Sequence, residues 1–140
     1  MQREGGCACG AIRFRTEAAP MGTGACHCTA CQKLSGGGPN YVALLPKGAL
    51  VVTRGEPKLY NSKGDSGADV ARAFCADCGT PLWSIPEQAP FMAIKIGAFD
   101  AATDLGPRMH IYVASAPAWH PVPEGVPTFP RMPPANTVPV

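Results

Sequence analysis

Seven cysteines fall into three groups: Cys7-Ala8-Cys9, Cys26-His27-Cys28-Thr29-Ala30-Cys31 and Cys75-Ala76-Asp77-Cys78. Thiolates at such short spacings are metal ligands, redox partners or nucleophiles. An odd number cannot be fully paired within the chain as disulfides, and seven divides naturally into four and three. Cys7 and Cys9 open an alternating segment, where residues two apart share a face and can aim both sulfurs at one ion. The Cys-x-x-Cys at Cys75 and Cys78 is a half-site that needs a second pair to close a tetrahedral set. Spacing therefore assigns Cys7, Cys9, Cys75 and Cys78 to a structural zinc with no open position. Gly10 and Gly79 follow the two pairs, and glycine tolerates the positive φ of a chain folded tightly beneath an ion.

Cys26, Cys28 and Cys31 remain. Three protein ligands with one exchangeable position is the pattern of a catalytic zinc. Three thiolates overcompensate the ion's charge by one, which weakens it as an acid toward water and favours a soft incoming ligand, a thiol above all. Thiol chemistry fits this donor set better than hydrolysis. Other arrangements stay open on spacing alone. His27, His110 or His120 could close a Cys₃His structural site, with His27 the poorest placed because it lies between two ligands. The three groups could pair differently, or Cys26, Cys28 and Cys31 could form a disulfide on oxidation.

Lys33, Ser35, Gly36, Gly37 and Gly38 follow at once. Consecutive glycine amides beside a lysine can cradle an anion such as the carboxylate of a glutathione-like thiol; the plain alternative is a flexible turn. Arg54, Lys63, Arg72 and Arg108 are further cations that no motif distinguishes from ordinary surface charge.

The elements that must carry these groups are short, because 16 glycines and 16 prolines divide the chain. Alternating or apolar runs predict strands at 11–15, 41–45, 50–53, 58–60, 70–74, 91–96 and 110–113. A brief helix is expected at 29–34, stopped by Gly36. The fold expected is mostly β with little helix. Eight of the prolines lie in the last 24 residues, where a central strand or a helix is ruled out. Trp119, Val122, Val126 and Phe129 are candidates for an extended strap across one domain spanning 1–129, with 130–140 a Pro-rich tail.

At 140 residues and 46% hydrophobic content the chain can bury a core of its own. A net charge of +2 and a pI near 8.2 give no basic footprint for nucleic acid or an anionic membrane. No apolar run has the length of a membrane span or the form of a signal-peptide core. Unpaired cysteines without such a signal point to a reducing, cytoplasmic location.

The motifs GGCACGAIRF at 5–14, CHCTACQKLSGG at 26–37 and FCADCGTPL at 74–82 resemble, in order, the three cysteine motifs of the glutathione-dependent formaldehyde-activating enzyme family, which includes centromere protein V. IKIGAFD at 94–100 and HIYVASAPAW at 110–119 are similar to its later segments. The resemblance implies an Mss4-like zinc-bearing β fold. It also implies a closed site on Cys7, Cys9, Cys75 and Cys78 and a three-cysteine site on Cys26, Cys28 and Cys31. The reaction implied is condensation of glutathione with formaldehyde to S-(hydroxymethyl)glutathione, a carbon–sulfur lyase run in reverse. The chain is similar to the family's short, generic members. Two other readings accompany this one: a protein-binding module with both zinc sites closed, and a thiol-based redox or zinc sensor.

Overall fold

The structure, a computed structural model, describes residues 2–134. In chain order its elements are β1 (Arg3–Gly6), β2 (Arg13–Thr16), β3 (Gly22–Cys26), α1 (Thr29–Ser35), β4 (Asn40–Pro46), β5 (Leu50–Arg54), β6 (Lys58–Lys63), β7 (Asp69–Phe74), β8 (Pro81–Pro86), β9 (Phe91–Lys95) and β10 (His110–Ile111). Short 3₁₀ turns follow β9 and β10, at Ile96–Ala98 and Val113–Ser115. The expected mostly β architecture with little helix is what the chain adopts.

Two sheets form. One runs β1-β2-β5 and the other β10-β3-β4-β9-β8-β7-β6. Every named pairing is antiparallel except β10 against β3. The core lies between the sheets. Phe14 of the small sheet, with Ile12 from the turn before it, meets Ala43, Leu45, Leu82, Trp83 and Ile94 of the large one. Phe14 stands edge-on to Trp83 at 5.8 Å and to Phe99 at 5.5 Å, the geometry that aromatic quadrupoles prefer.

Three strands go beyond the sequence expectation: β1, β3 and β8. Four of the five residues of β3 and three of the six of β8, Leu82 to Ser84, are buried, so neither shows the polar–apolar alternation of a half-exposed strand. The Pro-rich segment does strap part of the fold. Phe129 donates its amide to the His110 carbonyl (2.9 Å) and Val113 donates to Phe129 (3.1 Å), while Pro130 and Arg131 accept bonds from Ala114 and Tyr112. Val122, Val126 and Phe129 are half-buried, whereas Trp119 is 71% exposed, its ring edge-on to His120 and beside Gly37. Of the expected tail 130–140, residues 135–140 lie outside those described.

Candidate functional site

The turn between β1 and β2 carries Cys7 and Cys9, and the turn between β7 and β8 carries Cys75 and Cys78. Both turns fold alike. Cys7 donates its amide to the Ile12 carbonyl and accepts from the Gly10 amide; Cys75 donates to Thr80 and accepts from Gly79. Gly10 and Gly79 have φ of 80° and 78°, conformations that a side chain would strain. The turns also bond to each other, because Ala8 donates its amide to Thr80 Oγ1 at 3.1 Å. That leaves the Thr80 hydroxyl proton for the Cys78 sulfur, also at 3.1 Å. This bond, backed by the Thr80 amide, lowers the Cys78 thiol to about 5.

The four sulfurs all lie within 4.8 Å of one another. Cys7 and Cys9 are 3.6 Å apart, Cys9 and Cys75 3.8 Å. A disulfide needs about 2.05 Å, while four sulfurs each ~2.3 Å from a tetrahedral zinc stand ~3.8 Å apart. The group fits a metal ion of that size and geometry.

Cys26 ends β3, Cys28 caps α1, and Cys31 lies in the first helical turn. Their sulfurs also fall within 4.8 Å of one another. The Cys28 sulfur accepts the Cys31 amide at 3.3 Å, the bond an N-cap side chain makes. The Cys31 sulfur accepts from Asn40 Nδ2 at 3.8 Å. Hydrogen bonds from the neighbouring thiols hold Cys28 low, and the proximity of Cys28 holds Cys26 high. One thiolate thus forms readily and the others resist, which is the behaviour expected of a donor set that a cation would relieve. Among the described residues, no histidine and no carboxylate joins either group of ligand atoms.

The histidines point elsewhere. His27 is fully buried with Nε2 at 2.9 Å from His110 Nδ1, and the two rings stack at 5.2 Å. His120 meets His27 edge-on at 5.3 Å and bonds to the Tyr41 hydroxyl. Burial lowers the pKa of both His27 and His110, and the neighbouring imidazoles add to the shift.

The turn after α1 differs from the expected cradle. The amides of Gly36 and Gly37 both donate to the Gln32 carbonyl, at 3.0 and 2.8 Å. Gly36 has φ of 93° and ends the helix, so these amides close the helix terminus. Ser35 Oγ bonds to the Gly38 carbonyl. Lys33 is exposed and sits two residues from buried Cys31, a step that places it on the opposite side of a helix.

The sequence reading missed Asn40 and Lys95. Lys95 donates to Asn40 Oδ1 at 2.6 Å while Asn40 donates to the Cys31 sulfur. A cation is thereby tied to the three-cysteine cluster through one amide. Burial depresses Lys95 to about 8, against the opposing pull of Cys31. Its sequence signal is slight: one lysine at the end of an apolar strand. Two cavities of about 260 and 270 Å³ meet at Leu34, Pro81 and Lys95.

The fold and the two sulfur clusters define a mostly β protein with two candidate metal centres, one with four cysteine donors and one with three. A profile for the family described as glutathione-dependent formaldehyde-activating enzyme matches residues 2–115, and the chain belongs to that family. A curated Halomonas elongata protein, named provisionally as a glutathione-dependent formaldehyde-activating enzyme, is 30% identical over 125 residues, covering 85% of this chain and 80% of that one. A solved Rhodobacter sphaeroides protein shares the fold with a TM-score of 0.56 at 21% identity, over 74% of this chain and 94% of that one.

Proposed function

We propose that the chain is a zinc-dependent carbon–sulfur lyase-type enzyme acting on adducts of a small thiol and an aldehyde. Glutathione and formaldehyde are the pair that the family's description names. The observation that carries this reading is the unequal donor count: four sulfurs converge on one site, three on the other, and no other side chain among the described residues completes the second. Cys7, Cys9, Cys75 and Cys78 would hold a structural ion, and Cys26, Cys28 and Cys31 an ion with a position for substrate. Zinc bound there supplies a Lewis acid that lowers the pKa of an approaching thiol. In the synthetic direction the thiol sulfur bonds to the aldehyde carbon, and the thiol proton ends on the aldehyde oxygen; the reverse reaction breaks that bond.

The chain's own residues define the surroundings. Asn40 orients the Cys31 sulfur and anchors Lys95. Gln32 pins α1 by donating to the carbonyls of His27 and Ser115. His27, turned into the histidine cluster, serves packing. A reducing, cytoplasmic location suits seven unpaired cysteines.

Native mass spectrometry of anaerobically purified protein tests this reading. Two zinc ions per chain and a glutathione adduct lost in Cys28→Ala are expected, together with at least a hundredfold loss of glutathione–formaldehyde turnover in that variant. Two ions that ignore glutathione, with equal rates for wild type, variant and buffer, would instead make the chain a binding module with two closed sites.

A further inference from the structure

Strand register sets out a row of polar side chains on one face of the large sheet. Tyr60 pairs with Arg72, Arg72 with Ser84, and Ser84 with Ala93. Lys95, two residues beyond Ala93, shares its face and pairs with Val42; Asn40, two before Val42, pairs with Cys26. Directly paired residues, and residues two apart, point to the same side of a sheet. Ala43, Leu45 and Ile94 fill the opposite side and form the core. The row therefore runs from Tyr60 through two cations to the three-cysteine cluster, outside the core.

Arg72 and Lys95 line one cavity with Leu34, Tyr60, Trp83 and Ser84. Both cations are half-buried. Among the described residues, neither has a carboxylate within 4.0 Å. Arg72 spends Nε on Ser62 Oγ at 3.0 Å and Lys95 spends one proton on Asn40, which leaves the rest of the guanidinium and two ammonium protons. Two like charges lining one half-buried cleft repel each other, and Arg72 adds to the burial that lowers Lys95. An anion between them removes that cost.

We propose that the cleft between Arg72 and Lys95 is the seat for a carboxylate of a peptide-sized thiol whose sulfur reaches Cys26, Cys28 and Cys31. Lys95 and Cys26 lie on strands separated by β4 and two residues apart in register, which sets their backbones about 12 Å apart. An extended chain covers that distance in about three residues. A span of that order accommodates a thiol of tripeptide size. The ring of Tyr60, on the same face as Arg72, flanks the backbone of such a ligand. The substrate role rests on the enzyme reading above; the anion seat itself does not.

S-methylglutathione, which keeps its carboxylates but has no thiol proton, probes the seat alone. Calorimetric titration into the zinc-loaded full chain is compared with Arg72→Gln, Lys95→Met and the conservative Arg72→Lys, and with the dimethyl ester of the probe. Expected are saturable wild-type binding that weakens with salt, a loss of at least about tenfold in Arg72→Gln and in Lys95→Met, partial recovery in Arg72→Lys, and no binding of the ester. The seat is overturned if wild type does not bind the probe, if the ester binds as well as the acid, or if both charge-removing variants bind like wild type. Arg72-dependent binding without glutathione–formaldehyde turnover would sustain the seat and sink the enzyme reading. Turnover with an unchanged KM in Arg72→Gln would do the reverse.

Discussion

A buried histidine pair beside a sulfur cluster sets how this protein responds to acid. His27 and His110 sit 2% exposed or less, and burial lowers the pKa of each from 6.5. The unfolded chain binds protons at these sites as pH falls through about 6.5, while the folded chain resists. Their contribution to stability is therefore complete above 6.5 and is lost progressively below it. Thermal melts from pH 8 to 5 should show the midpoint falling below 6.5, with a smaller fall in His110→Gln; equal slopes for the two proteins would remove the histidines as the cause. His27 is the nearest titratable neighbour of Cys26 and Cys28 in sequence, yet its ring turns toward His110. Adjacency in the chain says nothing about which side a ring takes at the end of a strand.

At the scale of elements, the second cluster depends on a helix of seven residues. Two turns of helix are unstable alone, so α1 exists through its ends and its ties. Cys28 caps one end, Gly36 closes the other, and Gln32 holds the middle to the carbonyls of His27 and Ser115. A side chain at φ of 93° is strained. Gly36→Ala should therefore cost about 1 kcal/mol in urea unfolding and loosen metal at Cys28 and Cys31 before the four-cysteine site; loss of metal from both sites together would contradict this order. The 29–34 helix and its stop were legible because the pattern is local: a capping side chain, then a glycine. β3 and β8 were not legible, since strands covered on both faces carry no alternation.

For the whole molecule, the four-cysteine cluster joins the β1–β2 turn of the small sheet to the β7–β8 turn of the large one. Of the residues of β1 and β2, Phe14 belongs to the core cluster. Removing the proposed structural ion should separate the sheets, because metal binding at such a site is folding free energy. Chelation is expected to lower the melting midpoint by more than about 10 °C and to flatten the near-ultraviolet signal of Trp83. An unchanged melt after verified zinc removal would show that packing alone holds the sheets together.

The sequence by itself determined what depends on local order and on composition. Cysteine spacing separated a set of four from a set of three, and the positive φ of Gly10 and Gly79 follows from turns written within five residues. Seven runs of strand residues and one short helix announced a mostly β chain. Tertiary structure alone decided what the sets face. Lys33, close in sequence, lies out in solvent, and the amides of Gly36 and Gly37 are consumed by the helix end. Lys95, 64 residues beyond Cys31 in number, reaches it through Asn40 instead. Arg72, indistinguishable in sequence from other surface cations, shares a cleft with Lys95 because β7, β8 and β9 pair in one register. Register is a property of many strands packing at once: a slip of one residue would turn each of these side chains to the other face of the sheet, and no short stretch of sequence encodes it.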